Sequence, residues 1–396
     1  MRGRIWIGVI LAAAAAYVYP SPATAAERGP IKIGYFAPLT GTFSQTGKDM
    51  TDGFMLFWDE VGNQVAGRKV EVIVEDNEGV PATALTKVRR LVEQNKVHTV
   101  AGGLLAATGY AIAPYVEQNK IPTIYPVMAP DDITQRKPAR WVVRTAMTGS
   151  QLTHALGDYA YKHMGLRRVA TVSMDYAYGW ESNGGFQRVF EELGGKVVQK
   201  IWTPLNVQDY GPYLTSLKKD IDGVFGTHTG GLSPRFIKAW NDFGFKGKMA
   251  LVGTGTLTDE NILKGLGDEA LGIVTTLQYS AVLDNPANKK FMEAWTKAYN
   301  RPATYYASQG YDTALAIASA LKGAGGKADV PALRKALVKA DFQSVRGAFK
   351  FGPNQHPVQD WYSLKVEKGA DGKLALNTLG KVLTNHGDAY AAQCKL

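Results

Sequence analysis

The alternation of two hydrophobic periods constrains this chain more than any other feature of its sequence. Residues 31–39 and 69–76 have the apolar pattern of strands, and between them residues 50–61 carry apolar side chains at helical spacing. A second helix and a third strand and helix follow, and residues 121–127 have the pattern of a fourth strand. Strands that alternate with helices in this way form a parallel sheet covered on both faces.

A second series with the same plan follows residues 141–147 and begins with a strand at 167–175. In each series one strand enters a helix through a glycine-rich turn, GGLLAATG (102–109) in the first and FGTHTGGLSPRF (225–236) in the second. We therefore predict an α/β fold of two Rossmann-like lobes. Ligands of such sheets bind at the carboxyl ends of the strands. Two such edges that face each other form a cleft, which a hinge can close.

The first residues have a different composition. Arg2 and Arg4 precede the apolar run 5–19, and the small residues 23–25 follow it. These are the three regions of a secretory signal peptide, so we predict a signal peptide over residues 1–26 and a periplasmic mature chain. An uncleaved N-terminal anchor is the alternative. No later segment has eighteen consecutive apolar residues, so we expect a soluble mature protein.

The charged residues and the single cysteine give little information about binding partners of this chain. The formal net charge is +10, but the basic residues are scattered in pairs and form no stripe. We therefore expect no nucleic-acid partner. Cys394 is the only cysteine, so it has no partner for an internal disulfide. We expect a monomer.

Motifs for cofactors and catalysis do not occur in this sequence. The turn GGLLAATG differs from the dinucleotide pattern GxGxxG, and neither a Walker A sequence nor a GxSxG elbow is found. The six histidines form no HExxH pair. We therefore predict no cofactor, no metal and no catalytic residue. Glu75, Asp76 and Glu78 form one acidic cluster after a strand, which is either an acid–base site or a solvated strand end. A cleft-closing α/β enzyme thus remains an alternative.

Side chains suited to binding follow several predicted strands. The loop 37–47 is rich in hydroxyls, and the segment 174–182 places aromatic rings between a strand and a helix. Each such residue has a second interpretation, as a core ring, a solvated hydroxyl or a helix cap. We predict that the residues of these strand ends line the cleft, together with one tyrosine near a crossing between the lobes: Phe43, Thr46, Tyr176, Tyr178, Thr229, Thr254 and Tyr279.

Several segments together resemble the branched-chain amino-acid-binding family of periplasmic solute-binding proteins, the receptors of ABC importers. They are IKIGYFAPLTGTFSQTGKDMTDGF, VAGGLLAATG, DYAYGWE and FGPNQHP, in the family's order. The resemblance implies a type I periplasmic binding protein with three hinge crossings, and a membrane permease as partner. The crossings would divide the chain into lobe 1, residues 27–147 plus 277–351, and lobe 2, residues 148–276 plus 352–396.

The chain departs from the family pattern at positions that matter for the ligand. Where the resemblance implies a small hydroxyl residue and a threonine, this chain has Ala106 and Ala129. The family's tyrosine before the glycine of the first loop corresponds to Thr46, whereas Tyr178 is retained in the second lobe. The carboxylate that pairs with a ligand ammonium corresponds to Gly253 or Thr254.

The missing carboxylate argues against an amino-acid ligand. An ammonium without a partner costs several kcal/mol to bury, whereas micromolar binding is worth only about 8 kcal/mol in total. An amino acid therefore fits poorly, unless Asp175 or a neighbour substitutes for the acid. A carboxylate alone is easily held by the N–H groups of residues 106–108 and by the hydroxyls of Thr46 and Thr229.

The rest of the predicted pocket is apolar and aromatic. An aromatic ring buries about 150–250 Å², which at about 25 cal/mol per Å² is worth roughly 4–6 kcal/mol. We therefore expect capture of a small organic acid, with an aromatic carboxylate favoured. A branched-chain or other amino acid in the same transport role is the alternative, and a sensor domain is a third. The residues expected around the ring are Phe43, Leu105, Val127, Met128, Tyr176, Tyr178 and Tyr279.

Overall fold

The computed structural model describes residues 29–339 and 341–396, so the predicted signal peptide lies outside the described residues. Strands and helices alternate along the chain, which confirms the α/β class. The strands are β1 (Ile31–Ala37), β2 (Gln64–Val65), β3 (Arg68–Asp76), β4 (Thr99–Gly102), β5 (Thr123–Tyr125), β6 (Val142–Arg144), β7 (Arg168–Met174), β8 (Lys196–Thr203), β9 (Gly223–Thr227), β10 (Ala250–Thr254), β11 (Val274–Leu277), β12 (Phe349–Phe351), β13 (Pro357–Lys368) and β14 (Leu374–His386). The helices are α1 (Ser44–Glu60), α2 (Pro81–Glu93), α3 (Ala106–Gln118), α4 (Gln151–Lys162), α5 (Ala177–Glu192), α6 (Gly211–Thr215), α7 (Leu232–Asp242), α8 (Glu260–Lys264), α9 (Pro286–Tyr299), α10 (Tyr305–Gly323) and α11 (Val330–Leu337).

The first sheet has the strand order β2-β3-β1-β4-β5-β6, and all its strands but β2 run parallel. Ile33 pairs with Val72 on one side and with Thr99 on the other. β1 is almost fully buried, as expected for a central strand with helices on both faces. The ring of Tyr35 stacks on that of Phe54 from α1 at 4.3 Å. This packing holds α1 against β1.

The second sheet has the order β12-β13-β11-β10-β9-β7-β8, with β14 paired to β13. Strands β7 to β11 are parallel, whereas β13 is antiparallel to its neighbours β11, β12 and β14. The carboxyl ends of β7, β9 and β10 therefore meet at one edge. The first lobe consists of the β1–β6 sheet with α1–α3 and α9–α11, and the second lobe consists of the β7–β14 sheet with α4–α8.

Residues 346–351 and 360–366 have the sequence pattern of closing strands, whereas the long strand β14 follows them without such a pattern. Both of those strands exist, as β12 and β13. The pairing of β13 with β14 contains three register shifts, one of them between Ser363 and Leu364. Each shift changes which side chains face the core, so the apolar alternation along β14 loses its phase and gives no clear strand pattern.

The chain passes between the lobes three times, after β6, after β11 and before β12. In the second passage it enters helices that pack on the first lobe. Helix α10 approaches α1 very closely, because Gly53 and Gly310 lack side chains: a Cβ on either would lie 2.0 Å from the other helix's backbone. The division at residues 147, 276 and 351 stays a prediction. Strand β12 pairs with β13 in the second sheet, although that division would leave it at the end of lobe 1.

Candidate functional site

A small cavity lies between the two lobes, where the carboxyl ends of their strands meet. Its walls come from the turn before α3, the segment after β5, the start of α5, the ends of β9 and β10, and the start of α10. The lining residues are Leu104, Leu105, Ala106, Val127, Ala129, Met147, Tyr176, Tyr178, Thr229, Thr256 and Tyr306.

The glycine-rich turn forms the first part of the first-lobe wall. Gly102 and Gly103 have φ values of 118° and 79°, which favour glycine. A Cβ on Gly102 would lie 2.1 Å from the carbonyl oxygen of Phe36, so the turn can fold back on β1 only without a side chain. This course carries Leu104 and Leu105 into the cavity and starts α3 at Ala106.

The segment after β5 forms the second part of the same wall. Val127 and Ala129 face the cavity, whereas Met128 packs in the separate core cluster that contains Phe36. An extended chain alternates its side chains in this way. The buried Arg144 holds the segment in place, because it donates hydrogen bonds to the carbonyls of Met128 and Pro130, both at 2.7 Å. It also donates to Met147 O at 3.1 Å, so one cation fixes three parts of this wall.

Hydroxyl groups dominate the second-lobe wall. The hydroxyl of Tyr178 lies 3.2 Å from Oγ1 of Thr256. The Thr256 hydroxyl also lies 2.9 Å from that of Thr254 and donates to the carbonyl of His228 at 3.0 Å. Burial raises the pKa of Tyr178 to about 12. The phenol is therefore neutral at ordinary pH and is able to donate a hydrogen bond.

A second hydroxyl pair joins the two lobes across the cavity. Thr229 follows β9 in the second lobe, and its Oγ1 lies 2.8 Å from the hydroxyl of Tyr306. Tyr306 is the second residue of α10, which packs on the first lobe. Burial raises the pKa of Tyr306 well above its usual range, so it too is a neutral donor.

The electrostatics of the cavity favour a negative ligand. None of its lining residues, all of which belong to the described part of the chain, carries a formal charge. Three helices begin at the cavity, however, since Ala106, Ala177 and Tyr305 are the first residues of α3, α5 and α10. The N-cap residues of α3 and α5 make no side-chain capping hydrogen bond. Each helix N-terminus carries about half a positive charge, so together they attract an anion.

The structure brings most of the residues predicted from the sequence together. Those that face the cavity are Leu105, Ala106, Val127, Ala129, Tyr176, Tyr178 and Thr229. Their role in ligand binding stays a prediction.

Five predicted residues do not line the cavity. Phe43 and Thr46 are buried at the start of α1, and Phe43 packs beside Gly79 and Gly230 at the cavity's border. Met128 faces away, as described above. Thr254 stands behind Thr256, and Tyr279 is buried with its hydroxyl donating to Asn288 Oδ1 at 3.0 Å. Met128 and Thr254 share one reason: each is a sequence neighbour of a lining residue, but its own side chain does not face the cavity.

Four lining residues were not predicted from the sequence: Leu104, Met147, Thr256 and Tyr306. Leu104 and Thr256 adjoin segments that the sequence singles out, and Met147 lies at the first predicted crossing. Tyr306 had the weakest signal, because it stands at the start of a helix 77 residues beyond its partner Thr229. Only the packing of α10 against α1 brings it to the cavity.

The acidic groups considered from the sequence have partners elsewhere. Asp175 is exposed, and its Oδ1 accepts a hydrogen bond from Trp180 Nε1 at 2.9 Å, so it does not substitute for the missing acid of the pocket. Glu75 forms ion pairs with Lys87 and Arg90 at 3.1 and 3.3 Å. Asp76 accepts hydrogen bonds from the loop at Leu39, and such bonds lower its pKa. Through these contacts Glu75 and Asp76 of the acidic cluster stabilise the end of strand β3.

Residues 29–339 and 341–396 hold neither a candidate metal-binding cluster nor a candidate membrane-spanning helix. No group of three or more histidine, cysteine, aspartate or glutamate side chains there is arranged to hold a metal ion. No helix there is both long and apolar enough to cross a membrane.

Comparisons with known proteins agree with this arrangement. The family model for periplasmic binding proteins matches residues 30–373. A Leu/Ile/Val-binding protein homolog of Brucella melitensis is 31% identical over 369 residues, which are 91% of this chain and 94% of that protein. An ABC-transporter solute-binding protein of R. palustris in complex with benzoate superposes with a TM-score of 0.87 at 29% identity, covering 93% of this chain and all of the other. Another from Rhodopseudomonas palustris, in complex with 3,4-dihydroxybenzoic acid, gives a TM-score of 0.84 at 32% identity and covers 90% of this chain and 98% of the other.

Two α/β lobes with a cavity between their sheet edges define the type I periplasmic binding protein fold. The chain belongs to the branched-chain amino-acid-binding family of periplasmic solute-binding proteins of ABC transporters. The family assignment implied by the sequence is therefore confirmed.

Proposed function

We propose that this chain is a periplasmic receptor that captures a small organic acid, with an aromatic carboxylate favoured, and delivers it to the membrane permease of an ABC importer. The observation that carries this proposal is the make-up of the cavity. It joins an apolar wall, neutral hydroxyls and the N-termini of three helices, and no acidic side chain lines it among the described residues.

A carboxylate suits the polar side of this cavity. Helix N-termini stabilise a negative charge without the cost of a buried cation. The hydroxyls of Tyr178, Thr256, Thr229 and Tyr306 form two pairs that are able to turn towards a ligand oxygen. Hydrogen bonds to a carboxylate are about twice as strong as those between neutral groups. The polar side thus supplies donors for an anion and no partner for an ammonium.

An aromatic ring suits the opposite side. Leu104, Leu105 and Val127 present branched apolar surface, and the rings of Tyr176 and Tyr178 flank it. A flat ring gains apolar burial there without needing a polar partner. Two similar solved proteins hold benzoate and 3,4-dihydroxybenzoic acid, which supports this class of ligand.

A branched-chain amino acid is the second candidate, because the similar Brucella protein is named a Leu/Ile/Val-binding protein homolog. Its apolar side chain would also suit the first-lobe wall. Its ammonium, however, would meet hydroxyls and positive helix ends, and an unpaired buried ammonium costs several kcal/mol. We therefore place this ligand second.

A thermal-shift panel separates the two candidates. The purified mature protein is heated with benzoate, 4-hydroxybenzoate, leucine or valine, each at millimolar concentration. A ligand at about a hundred times its dissociation constant stabilises the folded state by about 2.7 kcal/mol. We expect a clear rise in melting temperature with an aromatic acid and little with the amino acids. The reverse pattern would refute the aromatic proposal.

Two simpler properties belong to the same proposal. We propose that the receptor returns its ligand unchanged, which chromatography of the acid after prolonged incubation tests; conversion of the acid would support the enzyme alternative. We further propose that residues 1–26 direct export and are removed. The intact mass of protein from a periplasmic extract tests this, and an unprocessed mass would contradict it.

A further inference from the structure

A partly buried glutamate joins the two lobes outside the ligand cavity. Glu181 lies on α5 of the second lobe, and its Oε1 accepts two hydrogen bonds from the first lobe. The hydroxyl of Tyr110 on α3 donates at 2.5 Å, and the backbone N–H of Asp131 donates at 3.1 Å. Because both donors belong to the other lobe, these hydrogen bonds break when the cleft opens.

The same two helices carry this contact and the cavity wall. On α3, Tyr110 lies four residues after Ala106, and on α5, Glu181 lies three residues after Tyr178. Residues at these spacings share one face of a helix. A ligand that draws Ala106 and Tyr178 together therefore also draws Tyr110 to Glu181.

Neighbouring groups make this carboxyl unusual. Its Oε2 is buried without a hydrogen-bond partner among the described residues. Burial, with the nearby charge of Asp131, raises the pKa of Glu181 well above its usual range, although Tyr110, the Asp131 amide and Arg144 act in the opposite direction. The Asp131 carboxyl is itself buried and accepts from Ser150 N at 3.1 Å. Burial raises its pKa to about 6, with Asp388 adding to the effect and Arg144 opposing it.

We propose that Glu181, Tyr110 and the Asp131 amide form an inter-lobe latch, which slows the release of a bound ligand. Glu181 is a positioning residue in this role, since it does not line the cavity. The latch rests on the proposed function only in requiring a ligand that closes the cleft, whatever its identity.

The latch has a pH dependence with a definite sign. In the open cleft Glu181 meets water and has an ordinary pKa near 4.3. In the closed cleft its pKa is raised, so closure takes up a proton at any pH between the two values. Ligand affinity therefore falls as the pH rises from about 5 towards neutrality. Asp131, whose pKa is also raised, contributes with the same sign.

Release kinetics of three variants test the latch. Stopped-flow fluorescence measures the dissociation rate of 4-hydroxybenzoate from the full mature chain. We expect Glu181→Ala and Tyr110→Phe each to release the acid about tenfold faster, since each loses a hydrogen bond of a charged or buried group. Glu181→Gln keeps the oxygen acceptor, so it should release the acid within about threefold of the wild-type rate. Its affinity should also vary less with pH between 5.5 and 7.5.

The control is Glu192→Gln, because Glu192 is on the same helix but exposed, with Arg188 as its ion-pair partner. It should leave the release rate unchanged. Melting curves without ligand show whether each variant is folded. Wild-type release rates in both Glu181→Ala and Tyr110→Phe would overturn the latch. An unchanged pH dependence in Glu181→Gln would overturn the assignment of that dependence to Glu181.

The identity of the ligand is decided separately. If leucine binds and 4-hydroxybenzoate does not, the proposed ligand class is wrong. The same comparison of release rates, made with leucine, then still decides whether the latch exists.

Discussion

The two walls of the cavity differ in chemistry although both are built from strand ends and helix starts. The first-lobe wall presents Leu104, Leu105, Ala106, Val127, Ala129 and Met147, none of which has a side-chain hydroxyl. The second-lobe wall and the start of α10 present Tyr176, Tyr178, Thr229, Thr256 and Tyr306, each of which has one.

This difference supports the proposal that the two lobes divide the recognition of a ligand between them. The first lobe supplies apolar surface and the backbone N–H groups at the start of α3. The second lobe supplies side-chain donors. Under this proposal a ligand with one polar and one apolar end satisfies both walls only in a closed cleft, so we expect binding and closure to be coupled.

The largest effect is expected from a charge placed in the apolar wall. Ala106→Asp puts a carboxylate at the start of α3, where it occupies the positive helix end and repels an acidic ligand. We expect the Kd of 4-hydroxybenzoate to rise more than about 100-fold, which is ~2.7 kcal/mol. Isothermal titration calorimetry measures it.

Ala107→Asp is the matched control, because Ala107 is the next residue and does not line the cavity. It should bind the acid nearly as well as the wild type. Equal losses of affinity for 4-hydroxybenzoate in both variants would show that the effect does not depend on the apolar wall of the cavity.

A second prediction concerns the support of the hydroxyl wall. The imidazole of His228 stacks on Phe236 at 4.2 Å, and burial lowers its pKa to about 3. In the unfolded chain His228 has the ordinary histidine pKa near 6.5. As the pH falls below this value, the unfolded state binds a proton at His228 that the folded state does not bind. The stability contribution is thus present above pH 6.5 and is lost as the pH falls towards 3. Between pH 8 and pH 5, the free energy of unfolding measured in urea should fall by about 2 kcal/mol less for His228→Phe than for the wild type.

His163→Phe is the control for this measurement, since His163 is exposed on the surface of the second lobe. The free energy of unfolding of this variant should depend on pH as strongly as that of the wild type. The prediction is wrong if the two variants have the same slope of unfolding free energy against pH.

Removal of one hydroxyl from the polar wall should have a smaller effect. Tyr306→Phe leaves Thr229 without its partner at 2.8 Å and removes a donor from the cavity. We expect the Kd of 4-hydroxybenzoate to rise about tenfold, the effect of one lost hydrogen bond near a charge. Tyr279→Phe removes an equally buried hydroxyl that bonds to Asn288 outside the cavity. It should lower the melting temperature without changing the Kd; the same Kd for both variants would contradict the assignment.

The smallest effect is expected from trimming the apolar wall. Val127→Ala removes two methyl groups that face the cavity, and only part of this surface contacts a ring. We expect the Kd to rise about threefold, less than the value of one buried methylene. Val74→Ala, at a position 37% exposed on β3, is the control and should bind normally. Tighter binding by Val127→Ala would mean that the wall is too close for the ligand.

The sequence predicted the segments of the site better than the side chains within them. The glycine turn at 102–109 pointed to the first wall, and the tyrosines after β7 to the second. Within 127–129, however, all three residues were predicted to face the ligand, and Met128 faces the opposite core. The sequence shows that the side chains of an extended segment point alternately to two faces. Which of them face the cavity depends on where the preceding strand lies in the sheet.

The sequence by itself determined the fold class, the family and the regions that form the cavity. These follow from local periods of two and 3.6 residues and from motifs of a few neighbouring residues, which hold wherever the segment lies. Only the tertiary structure decided that Tyr306 reaches Thr229, that Thr256 stands in front of Thr254, and that Glu181 meets Tyr110. The first and the last of these contacts join residues from different lobes, and the second depends on which way neighbouring side chains point at the end of β10. Helix packing and the approach of the lobes decide such contacts, and neither leaves a local pattern in the sequence.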